Sequence, residues 1–353
     1  MSLSPSAVPL LIDWYRQNRR DLPWRQSRDP YRVLVSEIML QQTRAETVKP
    51  YFHRFLATLP TVEALANADE PTLLKLWEGL GYYSRVRNLQ RAARTVVERH
   101  GGVIPPDFEA LLKLPGVGRY TAGAVASIAF DMPVPAVDGN VLRVISRLTG
   151  DDTDILSPAA KKRAEAVLAP VVPTPHAGDF TQSLIELGAL VCVPGEPRCG
   201  ECPLHLLCEA KRTGRERELP VRIAKTKRRV EERTVLVIRF ADRSGHIRIA
   251  LRKRPAEGLL GGLYEFPCME GHATPEEVGK YLGDLGLICT AITPLPTAKH
   301  LFSHIEWRMM GYAVEAASIP ASVEDWFFAD LTELDDTYAI PSAYGAYRGY
   351  CFG

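Results

Sequence analysis

Residues 114–141, LPGVGRYTAGAVASIAFDMPVPAVDGNV, form the stretch that decides the fold of this chain. Its first five residues are too rich in Pro and Gly to continue a helix, yet residues 108–113 and Arg119–Phe130 on either side have helix-forming composition. We therefore predict two helices joined by a tight hairpin. Gly116 and Gly118 would allow positive φ angles and a close approach of a ligand, and the second helix directs its first N–H groups outward, so the hairpin can bind an anion. An ordinary turn between two helices is the alternative.

A carboxylate follows this hairpin. Asp138 lies in the sequence VDGN, residues 137–140, directly before an apolar helix predicted for residues 141–148. A short polar residue at that place can cap the helix. The same carboxylate would also lie beside a nucleic-acid backbone held by the hairpin, where it could take part in catalysis.

Glu37 is the second carboxylate that stands out. It interrupts the apolar run VLVSEIML, residues 33–40, within a helix predicted for residues 31–49. Burial there would raise the pKa of its carboxyl group and make it a candidate general acid. The alternative is a glutamate on the exposed side of the helix. The polar residues Gln41, Gln42 and Thr43 follow the apolar run and are suited to hydrogen bonding with bases.

Length and composition indicate two folded domains. The chain has 353 residues, which is long for a single core. Its hydrophobic content of 46% is enough to fold two cores. A net charge of +1 gives no general sign of a polyanion partner, so any DNA-binding surface has to be a local basic patch. The chain has no apolar run of membrane-spanning length and no signal segment, so we expect a cytosolic protein.

Four of the seven cysteines crowd into one segment with the spacing C-x6-C-x2-C-x5-C: Cys192, Cys199, Cys202 and Cys208. This crowding and the odd total favour a metal or a cluster over disulfides. Four thiolates within one loop suit a [4Fe-4S] cluster, whereas structural zinc usually takes two separated C-x2-C pairs and only one such pair is present. His205 lies between these cysteines; we interpret it as a bystander, with replacement of one cysteine ligand as the alternative.

The pattern predicts three parts along the chain. Residues 1–214 are predicted as an all-α domain and residues 215–232 as a basic linker, either lying along DNA or serving as a solvated tether. Residues 233–353 are predicted as an α+β domain. The remaining predicted helices are 6–19, 62–68, 71–78, 83–99, 157–169, 179–190 and 275–285, and the predicted strands are 234–240, 247–251, 297–315 and 324–329.

The helix-hairpin-helix with Asp138 closely resembles that of the endonuclease III superfamily of DNA glycosylases, and the cysteine spacing is similar to the cluster loop of the same superfamily. Residues 35–43 and 79–83 also align with it. Residues 258–267, GLLGGLYEFP, resemble the opening of a Nudix-like, MutT-type domain, and with residues 302–304 they are similar to one branch, the MutY family of adenine DNA glycosylases. The acidic metal-binding helix of a Nudix hydrolase is missing from the sequence, so we expect a binding domain.

This resemblance implies an enzyme of base excision repair that hydrolyses the N-glycosidic bond of adenine mispaired with 8-oxoguanine or guanine. The implied cofactor is a [4Fe-4S] cluster on the four cysteines. The implied partner is double-stranded DNA containing an A:8-oxoguanine or A:G mispair. We expect a monomer in the bacterial cytosol, associated with the nucleoid and not with a membrane.

The resemblance also implies roles for single residues. Glu37 would protonate adenine at N7, Asp138 would stabilise the positive charge developing on the sugar, and Tyr120 would lie close to both. The residues that would line the adenine pocket are Trp24, Arg25, Leu40, Gln182 and Ile185. The residues that would recognise DNA and the lesion are Gln42, Thr43, Leu80, Tyr82, Gly116, Gly118, Phe302, Ser303 and His304.

Strand cleavage is the main point that distinguishes the alternatives. Tyr120 stands where bifunctional relatives carry a lysine, so the resemblance implies that Schiff-base cleavage loses its nucleophile. A bifunctional glycosylase with lyase activity and a non-enzymatic Fe-S DNA-binding protein remain the alternatives, although the latter has no need for Glu37 in an apolar helix. Gln182 stands where some family members have a glutamate that accepts from the adenine amino group, and an amide oxygen can also accept.

Overall fold

The computed structural model describes residues 3–223, 228–242, 244–320, 323 and 325–352. Contacts divide the chain into two compact units, the first made of residues 1–68 and 84–224 and the second of residues 69–83 and 225–353. Of the predicted linker, residues 224–227 lie outside the described part. None of the helices in the described ranges is long and apolar enough to cross a membrane.

The first unit is helical, as predicted, and several of its helices begin at a capping side chain. Asp29 accepts from the backbone N–H of Arg32 at 2.8 Å, and Ser157 accepts from that of Ala160 at 3.2 Å, so each satisfies one of the unpaired N–H groups of a first turn. The helices are α1 (Ala7–Asn18), α2 (Pro30–Leu40), α3 (Ala45–Thr58), α4 (Val62–Asn67), α5 (Glu70–Trp77), α6 (Ser84–His100), α7 (Phe108–Leu112), α8 (Arg119–Phe130), α9 (Gly139–Thr149), α10 (Pro158–Leu168), α11 (Ala177–Leu190) and α12 (Glu209–Thr213). Among these, α5 belongs to the second unit.

The helix predicted for residues 31–49 is in fact two helices, and this prediction was wrong. Helix α2 ends at Leu40, Gln42 adopts a left-handed backbone with φ 56°, and α3 starts at Ala45. The buried guanidinium of Arg85 donates to the carbonyl oxygens of Ile38, Met39 and Gln41 at 3.0, 2.9 and 2.6 Å. A cation placed on these carbonyls stabilises the C-terminus of α2, because a helix end leaves its last carbonyls unpaired.

The hairpin between α7 and α8 forms at residues 113–118, but only one of its glycines has a positive φ. Gly116 has φ 75°, and a Cβ there would lie 2.5 Å from the Cβ of Asn88. Gly118 has φ −88°, so the expectation of positive φ at both glycines was wrong. A Cβ at Gly118 would meet nothing within 4 Å, which leaves the front of the hairpin open.

Close packing of α8 positions the segment that carries Asp138. A Cβ at Gly123, in the middle of α8, would lie 2.5 Å from the carbonyl oxygen of Pro135. Only glycine therefore lets the chain before Asp138 pass so near the helix. The apolar sides of α1, α9 and α11 pack together into one buried core that includes Leu11, Val144 and Leu184.

The second unit is α+β, as predicted, and is built on one seven-stranded sheet. Its strands are β1 (Arg229–Ala241), β2 (Ile247–Lys253), β3 (Tyr264–Glu265), β4 (Cys268–Glu270), β5 (Ile288–Leu301), β6 (Ile305–Ser318) and β7 (Trp326–Asp330). Its remaining helices are α13 (Pro275–Asp284), α14 (Leu331–Asp336) and α15 (Gly345–Arg348). The order is β3-β2-β1-β6-β5, with β4 also paired to β1 and β7 to β2. Strands β1 and β6 run parallel, and the other pairs are antiparallel.

Alternation along the strands fills a core on each face of this sheet. In β6, Trp307 and Met309 enter one core, whereas Tyr312 and Val314 enter the other. This period of two is the expected pattern for a sheet buried on both faces. Helix α13 covers the second core through Val278 and Leu282.

Two strands extend beyond their predicted ranges. The single strand predicted for residues 297–315 is the hairpin of β5 and β6, and β5 begins already at Ile288. Strand β1 begins at Arg229, inside the segment predicted as linker, because it pairs with β6 from its first residue onward. Periodicity alone missed these ends because edge positions in β5 are largely exposed and carry no apolar alternation.

Residues 69–83 join the second unit through Glu78. Its Oε1 accepts from the backbone N–H of Ile340 and from Arg348 Nη1, both at 2.9 Å. Lys75 forms an ion pair with the same carboxylate at 2.7 Å. The segment that contains Tyr82 is thus tied to the C-terminal part of the sheet domain.

Candidate active site

One cleft in the first unit contains most of the predicted site residues. It is bounded by the loop before α2, by α2 and the segment after it, by α8, by the start of α9 and by α11. Ten of the predicted residues line it: Trp24, Arg25, Glu37, Leu40, Gln42, Thr43, Tyr120, Asp138, Gln182 and Ile185. These residues come from distant parts of the sequence, so the helical fold itself brings them together.

Glu37 lies at the inner wall of this cleft and is 5% exposed. Burial raises the pKa of its carboxyl group from the ordinary 4.5 to about 7, and the nearby Asp138 acts in the same direction. The hydrogen bond from Tyr120 and the positive charge of Arg25 lower the same pKa, but by less. At neutral pH a large share of Glu37 is therefore protonated and can donate a proton.

Tyr120 donates from its hydroxyl group to Glu37 Oε2 at 2.6 Å. Tyr120 is the second residue of α8, directly after the hairpin, so the start of α8 links the hairpin to Glu37. Burial and the neighbouring carboxylates hold the pKa of the Tyr120 hydroxyl well above its usual value. Tyr120 thus acts as a donor that fixes the orientation of Glu37.

Asp138 is both a helix cap and a cleft residue. Its Oδ1 accepts from the backbone N–H of Val141 at 2.7 Å, which confirms the predicted capping of α9. Its Oδ2 accepts from the side-chain amide of Asn140 at 2.9 Å. Burial raises the pKa of the Asp138 carboxyl, while these hydrogen bonds oppose that effect. Both oxygens are held, so the carboxylate keeps one orientation beside the cleft.

The remaining walls offer flat and polar surfaces of the size of a base. Trp24 is 7% exposed and packs edge-to-face on Phe52 at 5.6 Å, so it is part of the core and of the cleft wall at once. Gln182 donates weakly to the carbonyl of Gly178 at 3.4 Å, and Ile185 follows on the same face of α11. A planar ligand could stack on Trp24 and hydrogen-bond to Gln182.

Sequence reasoning missed a buried ion cluster behind this wall. Glu186, on α11, is completely buried and forms ion pairs with Arg20 and Arg25 at 2.8 and 2.7 Å. Burial alone would raise its pKa, but the two arginines hold that pKa at about 2. No local sequence pattern indicates this cluster, because its members come from distant segments of the chain. Lys161 also lines the cleft and was likewise not predicted.

The four cysteines of the predicted cluster loop line one common cavity. All four are free thiols, and the buried Arg147 lies 3.3 Å from the sulfur of Cys192 through its Nη1. Nδ1 of His205 lies 2.9 Å from the carbonyl oxygen of Cys202. In the described ranges, no group of three or more His, Cys, Asp or Glu side chains is placed to hold a single metal ion. Four thiols around one cavity are the donor set of an iron–sulfur cluster, so the residues fit such a group.

Within the second unit, the predicted lesion-reading residues form a small exposed group. The hydroxyl groups of Tyr82 and Ser303 lie 2.9 Å apart. Ser303 and His304 are exposed in the turn between β5 and β6, and Phe302 packs on Trp307 with ring centroids 4.8 Å apart. Tyr82 has a left-handed backbone with φ 49° and a side chain that is 46% exposed.

Three residues near Tyr82 are buried, and for one of them, Leu80, the predicted contact with DNA was wrong. Leu80 is buried, with 6% exposure, so it contributes to the core and is not available to a base. Tyr83 is buried as well. Arg85 is also buried, and its guanidinium donates to the carbonyl oxygens at the end of α2.

Two glutamates of the predicted linker pair with basic residues at or just before its start. Lys211 pairs with Glu216, and Arg215 pairs with Glu218, at 3.3 and 3.0 Å. These are exposed pairs, which contribute little to stability. They still reduce the positive potential that the composition of this segment suggested.

Comparisons with known proteins show the family to which this chain is related. The model of the HhH-GPD superfamily of base excision DNA repair proteins matches residues 35–170, and a NUDIX domain model matches residues 234–347. An adenine DNA glycosylase of Mus musculus is 36% identical over a region that covers 88% of this chain and 71% of that protein.

Two solved structures resemble the helical unit. A thermostable thymine-DNA glycosylase is 31% identical with a TM-score of 0.54, over 59% of this chain and 96% of that chain. A trapped endonuclease III–DNA covalent intermediate is 26% identical with a TM-score of 0.50, over 60% of this chain and 99% of that chain.

Proposed function

Because this chain belongs to the adenine DNA glycosylase family, we propose that it hydrolyses the N-glycosidic bond of adenine mispaired with 8-oxoguanine or guanine in double-stranded DNA, without cutting the strand. The observation that carries the proposal is the buried Glu37 carboxyl with its pKa of about 7, oriented by Tyr120 in the same cleft as Asp138. An acid and a carboxylate in one cleft are what glycosidic hydrolysis requires.

Glu37 supplies the acid in this proposal. Neutral adenine is a poor leaving group, so a proton on its N7 is needed before the bond to the sugar breaks. The carboxyl group of Glu37 holds that proton near neutral pH, and the hydroxyl of Tyr120 stabilises the carboxylate that remains after transfer.

Asp138 supplies the opposing charge. The sugar gains positive charge as adenine leaves, and a fixed carboxylate stabilises that charge without rearrangement at the moment of reaction. The two hydrogen bonds from Val141 and Asn140 favour the ionised form of Asp138.

The base reaches these groups only after leaving the helix stack. We propose that the flipped adenine lies against Trp24 and Leu40, with Gln182 accepting from its amino group and Arg25 and Ile185 closing the pocket. Gln42 and Thr43 would contact the DNA at the cleft entrance. The hairpin of Gly116 and Gly118, whose front is open at Gly118, would bind a backbone phosphate.

The absence of strand cleavage rests on Tyr120. A phenol whose pKa is well above its usual value is a poor nucleophile and cannot form a Schiff base. Lys161 is the amine along the cleft wall that a lyase activity would have to use, so it provides a direct test of the bifunctional alternative.

The second unit would recognise the lesion. We propose that Ser303, supported by Tyr82 at 2.9 Å, accepts from the N7–H of 8-oxoguanine, with Phe302 and His304 packing nearby. Glu277 is used in the capping box of α13, and the acidic metal-binding helix of a Nudix hydrolase is missing from the sequence, which supports a binding role for this domain.

We further propose that Cys192, Cys199, Cys202 and Cys208 hold a [4Fe-4S] cluster. When bound, such a cluster stabilises the loop that it closes. Arg147, next to the sulfur of Cys192, would compensate part of the negative charge of the thiolates.

One assay tests the proposed activity. The purified protein is incubated with a duplex containing a single A:8-oxoguanine pair, and free adenine and strand breaks are measured separately, with and without added alkali. We expect adenine release with strand breaks only after alkali, and a loss of about a hundredfold or more in the Glu37→Gln variant with retained DNA binding.

Each alternative gives a different result in this assay. Strand breaks without alkali that disappear in a Lys161→Met variant would establish a bifunctional enzyme. Binding without any adenine release would leave a DNA-binding protein and would refute the proposed function.

A further inference from the structure

Glu186 accepts five hydrogen bonds from two arginines. Its carboxylate is completely buried and accepts from three groups of Arg20, the backbone N–H at 2.8 Å, Nε at 2.9 Å and Nη2 at 2.8 Å. It also accepts from Nη1 and Nη2 of Arg25 at 3.0 and 2.7 Å. Both terminal nitrogens of the Arg25 guanidinium are therefore directed at one buried anion.

Arg25 connects this cluster to the cleft. Its side chain is 8% exposed and lines the cleft that holds Glu37, whereas Glu186 itself does not reach the cleft. A further hydrogen bond from Arg25 Nη1 to the carbonyl oxygen of Arg20, at 3.1 Å, and the ring of Tyr15, 5.5 Å from the guanidinium carbon, complete its surroundings.

The charges in this cluster do not cancel. Two arginines face one glutamate, so the net charge of the cluster is +1, and both arginines line the cleft whose acid has to keep its proton. A positive charge near a carboxyl group favours the ionised form. The extent to which Glu186 compensates the charge of Arg25 therefore affects how readily Glu37 loses its proton.

We propose that Glu186 is a positioning residue of the active site, which holds the Arg25 guanidinium in the cleft wall and compensates its charge beside Glu37. The inference rests on the proposed role of Glu37 as the general acid. Without the anion, Arg25 would carry an uncompensated charge and would be free to turn toward the Glu37 carboxylate, which would then give up its proton at lower pH.

The groups that act on Glu37 are few and come from three elements. Tyr120 on α8 donates to it, Asp138 before α9 adds a like charge, and Arg25 in the short helix before α2 adds an opposite charge. Glu186 acts through Arg25, because it contacts the guanidinium and not Glu37.

Charge-balance variants test this role through the pH dependence of single-turnover adenine release. Protonated Glu37 is the active form, so the rate falls as pH rises through its pKa. Glu186→Gln raises the net charge of the cluster to +2. We expect the falling limb of the pH–rate profile, where the rate drops as Glu37 loses its proton, to move to lower pH by about one unit. The rate above this limb should be about tenfold lower, and the limiting rate at low pH should stay close to that of the unchanged protein. Arg20→Gln lowers the net charge of the cluster to zero and should move the falling limb of the pH–rate profile to higher pH. The double variant restores +1 and should bring the limb back toward its original position.

A purely structural role gives a different pattern. It predicts lower excision rates at every pH, with the falling limb of the pH–rate profile unmoved. It also predicts that the double variant excises adenine no faster than either single variant. Either result would overturn the proposal. If Glu186→Gln does not fold, Glu186→Asp, which keeps the charge, and Arg20→Gln remain, and an unmoved limb in Arg20→Gln would equally refute it.

A second measurement separates this proposal from the proposed function. The 13C shift of the Glu37 carboxyl, followed against pH in the DNA-free protein, reports its titration without any substrate. A lower midpoint in Glu186→Gln than in the unchanged protein is expected even if adenine is not released, and an equal midpoint would refute the role of Glu186 alone. A failure to release adenine would refute the proposed function alone.

Discussion

At the scale of one residue, Glu37 shows how burial in a helix raises the pKa of a carboxyl group. Apolar side chains of α2 surround it, and Tyr120 from α8 donates a hydrogen bond to it. The carboxyl group is then more stable with its proton than without it, because desolvation disfavours the charge. A group held in this way is less favourable for folding at the pH where it works.

The first prediction follows from that cost. The pKa of Glu37 is about 7 in the folded protein and near 4.5 when unfolded, so the folded state binds the proton more tightly. Stability from this group is fully present below about pH 4.5 and is lost as pH rises through about 7, by about 3 kcal/mol in total. Glu37→Gln lacks this loss, so its unfolding free energy relative to the unchanged protein should rise between pH 4 and pH 8.

Chemical denaturation at several pH values, followed by helical signal, measures the difference. Glu98→Gln is a matched control, because Glu98 is exposed on α6. A Glu37→Gln difference that stays constant with pH would show that Glu37 is not protonated in the folded protein.

The second prediction concerns Tyr120→Phe. This change removes the hydroxyl group that donates to Glu37 at 2.6 Å and keeps the ring. Since that hydrogen bond lowers the pKa of Glu37, its loss should raise the pKa and move the falling limb of the excision rate to higher pH. Single-turnover rates between pH 5 and pH 9 measure the shift. Movement of the limb to lower pH would contradict the proposed role of Tyr120 as a donor to the carboxylate.

At the scale of elements, capping residues were readable from the sequence and long-range partners were not. Asp138 caps α9 as predicted, because an N-cap needs only a short polar side chain and the next three residues. The end of α2 could not be predicted, since it depends on Arg85 from another helix. The pairing of Glu186 with Arg20 and Arg25 was hidden for the same reason: an ion cluster that joins distant segments leaves no periodic pattern.

The hairpin gives the third prediction, with two glycines that differ in backbone conformation. Gly118→Ala should fold normally, because its φ of −88° suits alanine and the added methyl group meets nothing within 4 Å. If a phosphate binds there, the methyl group should disturb a hydrogen bond to a charged group and weaken DNA binding about tenfold. Gly116→Ala should instead destabilise the protein by about 1–2 kcal/mol, because φ 75° disfavours a side chain.

Binding to an undamaged duplex and thermal melting, measured on both variants, separate the two effects. Unchanged DNA affinity in a stable Gly118→Ala protein would remove the hairpin front from the DNA-binding surface. A Gly116→Ala protein as stable as the original would mean that the turn relaxes into another conformation.

The fourth prediction concerns the cysteine loop. Cys202→Ser should lower iron content and weaken folding or DNA binding, while the rate of adenine release from bound substrate changes little, because none of the four cysteines lines the catalytic cleft. Iron and zinc analysis together with single-turnover kinetics tests this. Normal iron content and binding in the variant, or zinc in the unchanged protein grown with ample iron, would contradict the [4Fe-4S] assignment.

At the scale of the whole molecule, the residues proposed for catalysis and those proposed for lesion recognition lie in different structural units. The catalytic cleft lies in the helical unit, and the Tyr82–Ser303 pair lies in the unit that contains the sheet. The change from helical to strand periodicity made the α+β class of the C-terminal part predictable. The sequence did not reveal that residues 69–83 belong to the second unit, because their helical pattern is the same as that of the neighbouring helices and only contacts such as Glu78 with Arg348 distinguish them.

The last prediction concerns the choice of mispair. Adenine is a normal base, so an enzyme that removes it has to recognise the base opposite, and 8-oxoguanine differs from guanine by an N7 that donates and by an added O8. A hydroxyl oxygen can accept from that N–H, whereas the N7 of guanine offers only a lone pair, and a site built around one hydrogen bond rejects the analogue that lacks it. Ser303 is exposed in the β5–β6 turn, and the 2.9 Å contact with Tyr82 lets the Tyr82 hydroxyl donate to Ser303 or accept from it.

Ser303→Ala should therefore reduce the preference for A:8-oxoguanine over A:G by about tenfold, the value of one hydrogen bond, while the limiting excision rate on bound substrate stays the same. His304→Ala combined with it should narrow the preference further if the imidazole packs on the lesion. Tyr82→Phe tests the contact between the two hydroxyl groups, because it keeps the ring and removes only the hydroxyl that orients Ser303. We expect a smaller change of the preference in the same direction. Single-turnover rates and competition binding on both duplexes give the ratio. An unchanged preference for A:8-oxoguanine over A:G in Ser303→Ala would show that Ser303 does not recognise the lesion. If Tyr82→Phe altered the preference in the same experiment, lesion recognition would be assigned to the Tyr82 hydroxyl.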